Sequence, residues 1–351
     1  GDTSGEVTIS SPAVAGTTTL ELPATSSTLA TENALGVRNL IINGDMKIAQ
    51  RGTSQTGITS SGYYSLDRWR LLSSIGTCTI SQSTDVPSGQ GFSYSYKVDI
   101  TTAEATPGAG DLLAVLTRLE GQHLQHLKKG TSNAEKVTMS FWVRCSDTGT
   151  LQVNLRDQDN TRLIASTYTI DTADTWEKKT ITFDGDTTGA FDNDNGNSLQ
   201  IEWWLDSGTD FNSGSVPTAW EASDNTDRNA GATISLGDST SNDWYITGVQ
   251  LEVGDTATPF EHRPYDMEFA RCQRYYEKTG MVVLTNHVGH FQPFYWKVEK
   301  RAAPTLTLAV NAGSGAVVTN YTRGDANKSG GYQNAAHSQD TNATVTGDAE
   351  L

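Results

Sequence analysis

The sequence predicts an all-β chain, a sandwich or barrel of many short strands interrupted by two short helices. Three observations predict it. Thr, Ser, Gly, Asn and Asp abound while helix formers are scarce, the usage of short strands joined by turns. Apolar and polar residues alternate at period two over short runs, as half-buried strands require. Turn clusters separate these runs at the spacing found in sandwiches and barrels.

Residues 1–37 read as a separate N-terminal β segment for attachment or trimerisation. Its β-prone runs, Val7 to Ser10 and Thr17 to Leu22, are broken by Pro12, Gly16 and Pro23. They carry too little apolar mass for a core, so the segment is a linker or a strand that pairs with other copies through its open edge.

Residues 38–262 carry the sandwich pattern. The clearest strand is Val137 to Cys145, where Met139, Phe141, Val143 and Cys145 alternate with Thr138, Ser140, Trp142 and Arg144. Leu151, Val153 and Leu155 alternate with Gln152, Asn154 and Arg156; Ile201, Trp203 and Leu205 with Glu202 and Trp204; Ile181 and Phe183 with Thr180 and Thr182. Tyr245, Thr247 and Val249 close the series, with Ile246 on the opposite side. Turn clusters lie at Ser146 to Gly149, Asp157 to Asn160, Asp184 to Gly189 and Asp192 to Gly196.

Two stretches are expected to be helical. Gly121 to Lys129 has Leu124 and Leu127 three apart and ends on two lysines and Gly130. Asp266 to Lys278, within a connecting segment 263–280, has Asp266 as N-cap, basic residues late, and a stripe of Phe269, Cys272, Tyr275 and Tyr276 that places it against the sandwich. Strand-like runs return at Met281 to Leu284, Phe291 to Val298 and Thr305 to Val310, so 281–351 read as a small C-terminal β domain with a polar tail.

The charge is −16, from 25 Lys and Arg against 41 Asp and Glu. Duplex nucleic acid and anionic membrane call for basic surfaces and are poor partners for such a chain. Three widely spaced cysteines, Cys78, Cys145 and Cys272, make neither a disulfide framework nor a zinc pattern. Cys145 reads as a small buried apolar residue. No apolar run reaches the ~18 residues of a membrane-crossing helix. The chain opens on Gly1 with no Met and no signal-like segment, so the expectation is that residues before it are missing or removed.

Several blocks resemble the tail-fibre and virion surface proteins of tailed bacteriophages. They are RNLIINGDMKIAQRGT from Arg38, YYSLDRWRL from Tyr63, TRLEGQHLQHLKKGTSNAEKVTMSFWVRCS from Thr117, DTWEKKTITFDGDTTG from Asp174 and the block 244–278. KRAAPT from Lys300 and the terminal DAEL are similar too, and PAVAGTTTLELPAT from Pro12 resembles the short repeats before fibre domains. The same region resembles jelly-roll carbohydrate-binding modules, with Asn39 to Asp45, Trp176 before a TITF strand, and YITGVQLE as the closing strand. The resemblance implies a two-sheet jelly-roll β-sandwich; it does not by itself imply sugar binding. It also implies a calcium site near Asn43 to Asp45, where Met46 and Lys47 stand in place of an acidic ligand.

If the strands concerned are neighbours in one sheet, the alternation places Trp142, Arg144, Gln152, Asn154, Arg156, Glu202 and Trp204 on one outer face. Two Trp platforms among amide, guanidinium and carboxylate groups suit a glycan contact. The weightier reading is that this face is covered by a loop, a helix or another subunit. Trp69, Trp176 and Trp244 read as core or rim packing, and Trp220 as an anchor for the polar stretch 206–243. DNDNGN at 192–197 alternates oxygen ligands as calcium loops do, but Trp203 stands where a twelfth-position Glu is needed, so an Asx-rich turn is expected. The pairs His123/His126 and His287/His290 lack further ligands at zinc spacing. The RGD tripeptide at 323–325 carries no adhesion reading. No GxSxG, HExxH or phosphate loop occurs.

The expectation is therefore a non-enzymatic bacteriophage virion protein, a tail-fibre, spike or head-decoration subunit. It is expected on the particle surface as a homotrimer, bound to other virion proteins through its N-terminal segment, with no cofactor and at most a structural calcium. A receptor-binding adhesin for host surface glycan is the first alternative and a polysaccharide depolymerase the second.

Overall fold

In the computed structural model, which describes residues 38–283, 291–310, 318–320, 329–334 and 341–351, the period-two runs form strands that pair antiparallel throughout. Residues 1–37, His287, His290 and the 323–325 tripeptide lie outside the described residues. In chain order the sandwich strands are β1 (Ser54–Ile58), β2 (Arg70–Ser73), β3 (Thr77–Ser83), β4 (Ser95–Thr102), β5 (Leu112–Glu120), β6 (Val137–Cys145), β7 (Gly149–Asp157), β8 (Arg162–Ile170), β9 (Glu177–Phe183), β10 (Asn197–Ser207), β11 (Glu221–Ala222) and β12 (Asp243–Val253). The first sheet has the order β1-β3-β4-β12-β6-β9 and the second β11-β8-β7-β10-β5-β2. Within the sandwich, sequence neighbours pair only as β3–β4 and β7–β8. Elsewhere the chain passes from sheet to sheet, apart from the excursion between β10 and β11, which gives the interleaved order of a jelly roll.

Alternation decides which side chains fill the space between the sheets. Met139, Phe141, Val143 and Cys145 of β6 meet Leu151, Val153 and Leu155 of β7 and Ile201, Trp203 and Leu205 of β10 in one core. Trp203 sits at its centre, 5.4 Å from the Trp69 ring and edge-on to Phe141 at 6.0 Å. Such aromatic contacts add about 0.5–1.5 kcal/mol each to the area they bury. Trp69 and Trp244 are buried in this core, while Trp176 and Trp220 are half-buried at its margins. All three cysteines are free and buried.

The closing strand departs from the expected phase. Thr247 pairs with Trp142 and Gln250 with Ser140, so Gly248 and Val249 face one residue of β6. This β-bulge keeps Ile246 inward and brings Val249 and Leu251 inward as well, while Tyr245 stays on the outer side. Gly248 has φ +61°, and the Phe92 ring lies where a side chain at that position would project.

The stretch expected as one helix at Gly121 to Lys129 is two 3-10 turns, Gly121–His123 and Gln125–Leu127, ended by Lys128 at φ 52°. The reason is period: with Leu124 and Leu127 buried, a three-residue repeat eclipses them on one side. Nine residues are also too few to hold an α-helix by themselves. Lys129 is no helix-terminal charge. It is buried between Asp157 at 2.5 Å and Asp186 at 3.1 Å.

The later helix, α2, spans Tyr265–Gln273, following the single turn α1 (Thr209–Asn212). Pro264 precedes α2 and Asp266 lies in its first turn without capping it. Cys272 and Tyr275 pack with Ile42 and Ile48 against the sandwich. Tyr276 begins β13 (Tyr276–Val283), which joins β15 (Thr305–Val310) and β18 (Thr341–Asp348) in one small sheet, β18 in the middle; β14 (Phe291–Tyr295), β16 (Val318–Asn320) and β17 (Ser329–Asn334) form another. This part belongs to one compact unit with the sandwich, Val37–Leu351. The segment Asp348–Leu351 returns to the sandwich. Glu350 bridges Arg51 at 3.3 Å and pairs with Arg68, and Arg118 and Tyr63 donate to the Leu351 carbonyl. The Arg51 and Arg68 guanidiniums also stack on Tyr276 at 3.6 Å and Tyr275 at 3.4 Å.

Candidate functional site

The seven residues expected on one face lie on two. Trp142 and Arg144 are on β6 of the first sheet; Gln152, Asn154 and Arg156 on β7 and Glu202 and Trp204 on β10 belong to the second. Within each strand they do point away from the core. The turn Ser146 to Gly149, however, is a crossover between sheets and no hairpin, because β6 pairs with β12 and β9 and β7 with β8 and β10.

The second-sheet group is sealed by the chain itself. Trp204, Glu202, Gln152 and Asn154 have no exposed surface. Over them lies the excursion between β10 and β12. Arg228 pairs with Glu202 at 2.8 Å and stacks on Trp204 at 4.8 Å, and Phe211 packs on the same indole at 5.2 Å. Gln152 donates to the Asp227 carbonyl and Asn154 to that of Arg228. Trp204 Nε1 and Arg156 donate to Glu202 at 2.8 and 3.2 Å. These residues form an internal network, and it is a loop of the same chain, not glycan or another subunit, that covers Gln152, Asn154, Glu202 and Trp204. Burial alone would raise the Glu202 carboxyl; Arg228 and Arg156, with hydrogen bonds from Arg228 and Trp204, outweigh it and bring it to about 2.

Two other carboxyls go the opposite way. Burial pushes Asp67 up to about 6, against hydrogen bonds from Gln50 and the charge of Arg51. Burial likewise pushes Asp206 up to about 6, against the amides of Gly237 and Ser207. Both are ionised in the fold at pH 7 at a cost, and that cost disappears as they take up protons between pH 7 and pH 4. Glu202 stabilises the fold above its unfolded value of 4.5, and this contribution is lost as pH falls towards 2. Each change is worth about 3 kcal/mol. The melting temperature is therefore expected to rise from pH 7 to about pH 5 and to fall below about pH 4, as calorimetry across that range would show. A monotonic fall from pH 7 downwards would contradict the burial of Asp67 and Asp206.

The outer face of the first sheet is partly open: Trp142, Arg144, Lys97 and Trp176 are half-buried, while Tyr245 and Thr247 between them are buried. Register places Arg144 beside Tyr245, Tyr245 beside Lys97 and Lys97 beside Ser81, in one row across four strands. Arg144 and Lys97 flank the Tyr245 ring at 4.7 and 5.4 Å, and the Trp176 ring meets it edge-on at 6.1 Å. Asp85 accepts from Arg144 at 3.0 Å and Trp176 Nε1 at 2.8 Å. Asp174 holds Arg144 at 2.7 Å, and Asp99 and Asp243 hold Lys97 at 2.9 and 3.4 Å. Burial opposes the charge on Lys97, but hydrogen bonds with Asp99 and Tyr245 keep its ammonium above the ordinary lysine value. One row along, half-buried Trp142 stands between Lys178 and Thr247. Beside the bulge, Phe92 packs with Phe260 at 5.1 Å and His262 at 5.4 Å.

Half-buried Trp142 and Trp176 offer aromatic surface next to fixed donors and acceptors, the chemistry that holds a sugar ring by its C–H face and its hydroxyls. Sequence reasoning found Trp142 and Arg144 and missed Trp176, Tyr245, Lys97 and Asp85. The signal for Tyr245 was its alternation with Ile246. Trp176 precedes its strand and gave no phase, and Asp85 lies in a connection.

At both calcium candidates an acidic side chain has a partner within the chain. Asp194 closes a turn by accepting from the Gly196 amide at 2.7 Å, and Asp45 pairs with Lys47 at 2.8 Å. Asn43 is committed to Ile48 and Asp67 backbone. Among the described residues no three His, Cys, Asp or Glu side chains stand close enough to hold a metal.

No family model matches the sequence, and no curated protein does. Among solved structures, the chain is similar to the enzymatically active domain of tailspike protein 4 of bacteriophage CBA120, at 13% identity and TM-score 0.32, over 61% of this chain. It spans only 21% of that tailspike chain. It is also similar to the N-terminal cellulose-binding domain of β-1,4-glucanase C of Cellulomonas fimi, at 13% identity and TM-score 0.28, over 60% of this chain and 100% of that one. A family 11 carbohydrate-binding module of Clostridium thermocellum, in complex with a β-1,3-1,4-mixed-linked tetrasaccharide, is similar at 12% identity and TM-score 0.27, over 59% of this chain and 98% of that one.

Proposed function

We propose that this chain is a non-catalytic bacteriophage virion subunit that meets host surface glycan with the outer face of its first sheet. One observation carries the glycan reading. The chain seals Trp204 and its neighbours on the second sheet under its own excursion, yet leaves Trp142 and Trp176 half-exposed among ordered ionic groups on the first. Large apolar rings on an open face point to a partner. The virion placement rests on the sequence blocks that resemble phage fibre proteins. Homotrimeric assembly through residues 1–37 goes with it, and sedimentation of the intact chain as a monomer would remove that part of the proposal.

Binding is favoured over catalysis by the state of the carboxyls. A glycosidase acid needs a raised carboxyl facing its substrate. The carboxyls of Asp67 and Asp206, which burial raises, are both buried, while the carboxylates of the first sheet's outer face are tied in ion pairs to Arg144 and Lys97.

Trp142→Ala and Trp176→Ala are each expected to weaken binding of the purified chain to host cells or extracted surface polysaccharide about tenfold, or about 1.4 kcal/mol. The melting temperature should stay within a few degrees of the parent, since neither ring is in the core. Unchanged binding in both variants would sink the assignment of this face, and release of reducing ends from the polysaccharide by the parent chain would replace binding with hydrolysis.

A further inference from the structure

A second concavity lies away from the open face, where the 39–42 segment, the end of β5, the two 3-10 turns and α2 meet. Its volume is about 210 Å³, and Leu40, Ile42 and Leu124 contribute apolar wall. This is smaller than the pockets of about 300–1,000 Å³ that take drug-sized ligands, and so suits a single ring or one end group.

Apart from Glu120, the polar part of the lining is cationic or donor in character. His123 and His126 are exposed on one side of the two 3-10 turns, because a three-residue spacing eclipses them as it eclipses the buried leucines. Arg271 of α2 faces the same space. Its neighbours are spoken for: Arg263 pairs with Glu261 and Glu268 at 3.2 Å each, and Arg274 with Glu120 at 2.8 Å. Arg271 itself makes no hydrogen bond or ion pair among the described residues. It is held there against desolvation and the repulsion of Arg263, with Glu268, Tyr275 and Glu261 as weaker opposing influences, and its guanidinium is lowered from the ordinary arginine value. Glu120, the one carboxylate of the lining, stays ionised although burial opposes it, because both its oxygens are taken by Arg274.

We propose that this cleft binds a small carboxylate ligand of one-ring size, such as a sugar acid, with Arg271 as its ion-pair partner and His123 and His126 as rim donors. A guanidinium forms two parallel hydrogen bonds to a carboxylate and pairs with it better than with a neutral hydroxyl. An incoming carboxylate would supply the direct ion-pair partner that Arg271 does not find among the described residues, and the apolar wall would cover one face of the ring. Burial lowers both imidazoles. His123 also feels Glu120 in one direction and Arg274, Arg271 and Arg68 in the other, and His126 feels Glu135. A bound anion favours protonation of both, so affinity should rise as pH falls through the histidine range. A rise of one pKa unit in one imidazole corresponds to about tenfold in affinity.

The sugar-acid form of the proposal rests on the glycan reading, and the test separates the two. Glucuronate is titrated into the full chain while the histidine C–H resonances are followed by NMR, with glucose as the neutral control. Expected are shifts of two imidazoles with glucuronate and none with glucose, and affinity about tenfold higher at pH 6 than at pH 8. Arg271→Gln should weaken the response about tenfold or more at an unchanged melting temperature, Arg271→Lys should retain part of it, and Trp142→Ala should leave it intact. Equal responses to glucuronate and glucose, no response at all, or a full response in Arg271→Gln would each overturn the cleft assignment. Cell binding that survives such a failure leaves the open face standing, and loss of cell binding in Trp142→Ala with the glucuronate response intact keeps both.

Discussion

Replacing Glu202 with Ala is expected to cost about 3–5 kcal/mol of stability, the loss typical when one member of a buried charge network is removed. Arg228, paired to Glu202 at 2.8 Å, would keep its charge beneath the excursion with no carboxylate left to face it. Arg156 and the Trp204 indole N–H would lose the same acceptor. The change should also loosen the cover itself, since Arg228 fastens the excursion both to Glu202 and to the Trp204 ring. Urea unfolding measures the first effect. Amide exchange measures the second: protection at Asn229 and Gly231, whose N–H groups bond to Phe211 and Gln152, should fall before that of β10. Trp204→Ala should cost a similar amount through the cavity it leaves. A loss below about 1 kcal/mol in Glu202→Ala would mean that the network does not hold this face closed.

The second large effect is expected at Lys300, which pairs with Glu277 at 2.5 Å with neither side chain exposed. Burial lowers the lysine against the pull of Glu277, and its ammonium also donates to the Gln273 and Val298 carbonyls. Lys300→Met would leave Glu277 buried and unopposed, at a cost of about 3–5 kcal/mol. The double change Lys300→Met with Glu277→Leu should recover most of that loss, because two apolar groups need no mutual compensation. If the double variant is as unstable as the single one, the carbonyl contacts and not the charge pair hold Lys300.

What could be read from the sequence was the direction of side chains along each strand. Met139, Phe141, Val143 and Cys145 declared the core side of β6 by period alone, and Trp203 did so for β10. Which strands become neighbours is set by pairings far apart in sequence, so Trp142 and Trp204 shared an orientation rule and landed on opposite sides of the molecule. The bulge at Gly248 turned on one inserted residue, which no period can foresee. The cover over Trp204 depends on Phe211 and Arg228, which sit in a polar stretch without periodicity. The leucine spacing of 121–129 fits both an α turn and a 3-10 turn, and only packing chose between them. Arg271 was visible as a late basic residue of a helix, but that it makes no ion pair among the described residues is a property of the assembled fold.

The docking of Asp348–Leu351 has a consequence for synthesis on the ribosome. Glu350 reaches Arg51 and Arg68 across 299 and 282 positions, and Leu351 reaches Arg118 across 233. A nascent chain therefore emerges with these guanidiniums already made and their acceptors still to be translated. At about 5–20 residues per second, roughly a quarter of a minute to a minute separates the two ends of the contact. Over that interval the jelly roll can condense around Trp203, but the arginines on its flank must stay hydrated. Final closure thus waits until residues 348–351 have been made and have left the exit tunnel, and a polypeptide released before residue 348 would carry a sandwich whose Arg51, Arg68 and Arg118 lack these acceptors.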